Sequence, residues 1–197
     1  MQVIWVIVLI PILTFYHQIS FAQHAHASKY AGQEEQAIKS LSSEDIAELK
    51  RGGGWGLAKA AELNGVPGPI HLLEIKQEIA LDKTQVAAIT AVYEHMKAQA
   101  IQKGEQLITE EKTLENHFQQ RTITDERLRS SLEAIAQARK ELRYIHLAAH
   151  LETLDILSQD QIDKYNQLRG YSTADDPCTH VPQGHDAAMW RKHNGCK

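Results

Sequence analysis

The sequence predicts an all-α protein built on an extended antiparallel helical hairpin, two long helices flanked by two short ones in a cradle-like layout. Three observations carry that prediction. Apolar residues recur at gaps of three, four and seven over residues 83–120 and again over 125–156, the period of a helical stripe. Each stripe opens just after a residue that caps helices well, Asp82 for the first and Thr124 for the second. Aromatic residues make up only 6% of the chain and there are five prolines, a poor supply for sandwiches or barrels.

The 197 residues carry 21 Lys+Arg against 25 Asp+Glu, a net charge of −4. That length suits one domain with appendages, and a near-neutral chain without a basic run offers no footprint for nucleic acid. Val3 to Tyr16 is almost wholly apolar, short for a membrane span and suited to a signal-peptide core. Ser20 and Ala22 supply small residues for cleavage before Gln23, with Ala25 and Ala27 as a second site. The expectation is export to the periplasm with residues 1–22 removed near Ala22. An uncleaved anchor is the alternative, because no Lys or Arg precedes the apolar core.

Residues 23–66 read as an N-terminal extension with short helices. One opens at Ser42 or Ser43, with Glu44 and Asp45 in its first turn where carboxylates complement the helix dipole. Gly52-Gly-Gly-Trp-Gly56 follows, then a helix over Leu57–Leu63 stopped by Asn64-Gly65. The glycines do not make a phosphate loop, since no strand precedes them and the Gly-Lys-Ser/Thr ending is missing. They read instead as a turn, with Trp55 tucked against the body.

Pro67-Gly68-Pro69 marks the start of the main unit, 67–170. A short helix is expected over Ile70–Ile79, then the first long helix from Lys83 to about Gln120. Its stripe is Val86, Ile89, Tyr93, Met96, Ala100, Leu107, Leu114 and Phe118. The turn at 122–126 leads to a second long helix ending near Ile156, with Leu128, Leu132, Ile135, Leu142, Ile145, Ala149 and Ile156 on its seam. Ser158 caps a last short helix and Gly170 ends it. Two layers cannot bury both stripes, so a dimer or an exposed apolar groove is expected to cover them. Residues 171–197 form a tail containing both cysteines.

Two related pentapeptides stand at the short-to-long junctions, Leu81-Asp-Lys-Thr-Gln85 and Leu157-Ser-Gln-Asp-Gln161. Each reads as a buried Leu, a capping side chain and a helix start, so the repeat is a packing signature. With the helical layout and the export signal, the pair resembles the LTxxQ motif of the Spy/CpxP family of periplasmic proteins, over roughly residues 69–170. The resemblance implies an all-α cradle, usually a homodimer, with no cofactor required. Members act as ATP-independent chaperones, envelope-stress regulators or zinc- and heavy-metal-responsive sensors. One departure is charge. Chaperone members present a basic concave face, whereas residues 69–170 here hold 13 Lys/Arg against 16 Asp/Glu.

The eleven histidines supply the second functional reading. His146 and His150 stand four apart and project from one helical face, a spacing that can chelate zinc or copper. The zinc-protease motif fails because Leu147 stands where Glu is needed. Folding the hairpin at 122–123 sets His150 opposite His95 and Ala149 opposite Met96, and folding at 80–81 brings His71 near Thr90 and Glu94. A hairpin site of His95, His146, His150, His71 and Met96 is therefore expected, against the plainer reading of polar residues on a half-solvated face. The tail offers a second set, Cys178, His180, His185, His193 and Cys196 with Met189 between, unless Cys178 and Cys196 pair. Such a disulfide would be worth about 3 kcal/mol in the chain-entropy model. His24 and His26 could add a loose copper site, and His117 reads as surface.

No nucleophile–base pattern, nucleotide loop or paired-carboxylate motif is recognisable. The expected function is that of a periplasmic binding protein of the Spy/CpxP kind, not an enzyme. Its expected partners are unfolded or stressed envelope proteins, with a membrane sensor as a further candidate. The alternative is a zinc- or copper-type sensor or buffer using the histidine cluster.

Overall fold

A computed structural model describes residues 28–171, 186–193 and 196. The chain divides into two units, one ending at Glu34 and the other spanning Glu35–Lys197. Within the first, residues 28–34 form turns in which Gln33 N donates to Tyr30 O and Gly32 N to the Glu34 carboxylate. The second unit contains helices and no strand among the described residues. They are α1 (Ser43–Lys50), α2 (Lys59–Glu62), α3 (Pro69–Glu74), α4 (Lys83–Gln119), α5 (Asp125–Leu154), α6 (Gln159–Arg169) and α7 (Ala187–His193). None is long and apolar enough to cross a membrane.

The boundaries follow local chemistry. Ser42, Asp82 and Ser158 each accept a hydrogen bond from the backbone three residues on, and Asp45, Gln85 and Gln161 return it, so all three starts are complete capping boxes. Thr124 caps α5 through Arg127 N. Gly170 ends α6 in the left-handed region at φ 72°, where a side chain would be strained. α3 is shorter than the spacing suggests, stopping at Glu74 and continuing as turns to Ala80. α4, at 37 residues, is about 55 Å long at 1.5 Å per residue.

α4 and α5 pair antiparallel, and Lys103 Nζ lies 2.5 Å from Glu141 Oε2 across them. The buried residues of α4 are Ile89, Met96, Ala100, Gly104, Leu107 and Glu111. Those of α5 include Ile135, Ala138, Leu142, His146, Ala149, His150 and Thr153. The seam thus departs from expectation at two places. Phe118 and Leu132 are half exposed near the turn, and the two histidines take core positions in mid-helix.

Along the middle of the hairpin, the cover comes from the chain itself. Residues 35–66 lie across it, burying Ile38, Leu41, Leu49 and Leu57 against Ala100, Leu107, Ile135, Ala138 and Leu142. Lys39 pairs with Glu115 at 2.7 Å and Ser40 Oγ donates to the buried Glu111 carboxylate at 2.7 Å. Two glycines permit the close approach. A Cβ on Gly104 would stand 2.5 Å from Leu49 O, and one on Gly52 would stand 2.9 Å from Lys97 O. Trp55 is tucked in as the sequence suggested. Its Nε1 donates to Asp45 at 2.7 Å and the Arg139 guanidinium stacks 4.7 Å from its ring.

A second core closes the base, where Leu72, Ile79, Ile89 and Tyr165 are buried among Leu73, Ile75, Leu81, Ile156, Leu157 and Tyr171. Both motif leucines belong to it. The motif glutamines bond each other: Gln85 Nε2 donates to Gln161 Oε1 at 2.8 Å and Gln161 Nε2 to Gln85 Oε1 at 2.9 Å. Each amide oxygen also receives the N–H of its own capping residue. The two pentapeptides are therefore one joint that ties the start of α4 to the start of α6.

Candidate functional site

Between the two cores lies a cleft of about 600 Å³, walled by residues 48–71 on one side and by α4 and α5 on the other. Its position follows from the strap Gly65-Val-Pro-Gly68. One proline between two glycines does not continue a helix there, so the backbone polar groups of the strap need side-chain partners. They find them on α5 and α6. His150 Nδ1 donates to Val66 O at 2.8 Å, Thr153 Oγ1 to Pro67 O at 2.7 Å, and Asn166 Nδ2 to Gly65 O at 3.1 Å. Gly68 is needed because a Cβ there would stand 2.8 Å from the His150 ring.

Behind the strap, Glu62 anchors a polar knot. Its Oε1 accepts from Tyr165 Oη at 2.7 Å, Tyr171 Oη at 2.9 Å and Arg169 Nη2 at 3.2 Å. Its Oε2 lies 4.0 Å from His150 Nδ1. Burial, then the bond to Glu62, pushes the Tyr165 phenol far above its ordinary range, so this group stays a hydrogen-bond donor. No pattern in the sequence points to Glu62, whose partners stand a hundred residues away.

The structure divides the expected hairpin site. His71, Met96, His146 and His150 line the cleft. His95 does not join them. It is exposed and lines a separate groove of about 380 Å³ with Val92, Tyr144, Ala148 and Glu152. Met96 and Ala149, expected to face each other, line that groove together, whereas His150, expected opposite His95, lines the cleft. The angular phase is what differs: His95 is one residue, about 100° of helix rotation, away from the buried Met96. Among the described residues no three His, Cys, Asp or Glu side chains are grouped to hold a metal ion. His71 pairs with Glu74 at 2.8 Å, and His150 is committed to the strap. In the tail, Cys196 is disulfide-bonded and so presents no thiolate. Cys178, His180 and His185 lie outside the described residues, as do His24 and His26, while His193 ends α7. His117 bonds Thr122 at the turn.

His146 is the unusual member. It is 3% exposed, and its Nε2 is buried without a hydrogen-bond partner. Burial, and next the neighbouring His150, lowers its pKa, so the folded protein holds this ring neutral. The unfolded chain takes up that proton near pH 6.5, so the folded state loses stability as pH falls below that value. Thermal melts should show Tm rising between pH 5 and 7.5, with the rise reduced in His146→Phe. Asp45 and Glu115 are held below the carboxylate range by their bonds from Trp55 and Lys39 and act only under about pH 4.5. A Tm that is flat across pH 5–7.5 would contradict the neutral buried ring.

No family model, curated protein or solved structure matches this chain.

Proposed function

We propose that this chain is an exported binding protein of the Spy/CpxP kind, holding unfolded or stressed envelope proteins in the periplasm without ATP and without catalysis. One observation carries the reading. The two pentapeptides that resemble the family motif meet through reciprocal Gln85–Gln161 bonds, 76 residues apart in sequence, with both leucines in one core. That is the arrangement a packing signature requires. The surface suits a client. Tyr144, Ala148 and Leu151 share one face of α5, and Tyr144 and Leu151 are 71% and 62% exposed beside the groove that His95 lines. Exposed apolar side chains on one helix face are the usual means of holding unfolded segments.

Light scattering of a thermally unfolded test enzyme checks this. The protein purified after export should suppress aggregation at near-stoichiometric ratio, and Tyr144→Asp with Leu151→Asp should remove most of the effect. Undiminished aggregation at tenfold excess would end the reading. Metal sensing is the second reading, favoured only by the unpartnered His146 Nε2 near His150. Stoichiometric zinc binding that is lost in His146→Ala would support it.

A further inference from the structure

The cleft between the two cores is not explained by client capture on the groove that His95 lines, and its charge pattern is unbalanced. Both carboxylates on its lining are already engaged. Glu48 pairs with Arg51 and accepts from Trp55 N, and Glu62 holds Tyr165, Tyr171 and Arg169. His71 is paired with Glu74, which projects from α3. Lys59 and Lys97 remain, and neither forms an ion pair among the described residues. They are held at the walls all the same. Lys97 Nζ sits 5.5 Å from the Tyr93 ring centroid, and the Lys59 stem runs beside the bare Gly56, whose Cβ position is 3.4 Å from Lys59 Cε. The same lining is largely apolar, with Pro69, Ile70, Met96 and Ile101 among its residues. Into the same lining comes His146, almost fully buried, with Nε2 lacking a partner.

We propose that this cleft binds a small apolar carboxylate, its body against Met96, Ile70 and Ile101, its charge between Lys59 and Lys97, and a carboxylate oxygen accepting from His146 Nε2. The volume of about 600 Å³ falls in the range of small-molecule sites, roughly 300–1,000 Å³. An unpaired polar atom in a buried lining is uncommon in folded proteins and is satisfied when a ligand supplies the missing partner. The sign of the ligand follows from the lysines. A cation would face two ammonium groups and no free carboxylate. A neutral apolar molecule would leave His146 Nε2 unsatisfied. Inorganic phosphate would leave the apolar wall uncovered. The inference does not depend on the chaperone reading, since the client groove shares only Met96 with the lining of this cleft.

Calorimetry on the protein purified after export tests it, with decanoate and 1-naphthoate as probes of flexible and rigid apolar bodies. Either should bind saturably at one per chain, below the concentration at which it forms micelles, and shift the His146 imidazole resonances. Lys59→Glu with Lys97→Glu, both accessible enough to leave the fold intact, should weaken binding at least tenfold. His146→Phe should weaken it further while retaining the melting transition. Four results would each overturn the proposal: no saturable binding of either carboxylate, equal binding of decyltrimethylammonium, equal binding of inorganic phosphate alone, or affinity unchanged by the lysine reversals. A zinc titration run in parallel distinguishes the metal reading, because stoichiometric zinc at His146 would assign the free nitrogen to a metal and exclude the carboxylate from it.

Discussion

Replacing Gly104 with Leu should cost about 3 kcal/mol of stability, at the upper end of the usual overpacking range, although leucine improves the helix propensity of α4. Glycine in a helix interior is about 1 kcal/mol worse than Ala, so the local effect alone predicts stabilisation. Tertiary geometry reverses the sign. The Cβ of any residue at 104 would lie 2.5 Å from Leu49 O and 3.0 Å from Leu49 C, and these are backbone atoms at the end of α1. They cannot swing aside as a flexible side chain would. Leu49 is 2% exposed, and its carbonyl accepts from Gly52 N at 3.2 Å. Gly52 is itself pressed against Lys97 O. Moving α1 therefore lifts the whole cover from α4 and exposes Leu49, Leu41 and Leu57. Urea unfolding should place Gly104→Ala between wild type and Gly104→Leu, with hydrogen exchange speeding over 35–66 before the hairpin. A Gly104→Ala protein more stable than wild type by the full propensity difference would show that α1 does not rest on α4 as described.

Glu62→Ala should be the second severe change, about 2–4 kcal/mol, for a different reason. The carboxylate collects donors from Tyr165, Tyr171 and Arg169, and the truncation removes that acceptor from both phenols and leaves Arg169 Nη2 its bond to Tyr171 Oη. Tyr165 is wholly buried, so water cannot replace the lost bond. Orphaning a buried hydroxyl costs about 1–3 kcal/mol, and stripping a partner from a half-buried guanidinium adds to it. The Arg169 Nε atom is already buried without a partner, which leaves that side chain little reserve. A double-mutant cycle with Tyr165→Phe checks the mechanism. Once Glu62 is gone, removing the phenol should cost much less than it does in the wild type, because the group being deleted is already unsatisfied. Additive losses would mean that Tyr165 contributes through its ring alone.

These two residues also mark how far the sequence could be read. Gly104 looks like a flaw in a good helix, and Glu62 looks like an ordinary charge in a four-residue turn of helix. Each becomes intelligible only beside Leu49 or Tyr165. The histidines divide in the same way. That His146 and His150 share a face was legible, because a spacing of four is a property of the helix itself. That His150 would hold the Val66 carbonyl while His146 faced a cleft required the strap, which is some eighty residues away in sequence.

What the sequence by itself determined is the set of features decided within about four residues. The caps at Ser42, Asp82, Thr124 and Ser158, the glycine stop at Gly170, the turn of the hairpin and the helical period of its stripes all depend on near neighbours. The tertiary structure alone decided what covers those stripes and which polar residues share a lining. Residues 35–66 supply the cover over the middle of the hairpin, and His95 falls on the far side of the seam from His146. The physical reason is that a helix turns by about 100° per residue. A register good to one residue still leaves the direction of a side chain open until packing fixes the phase.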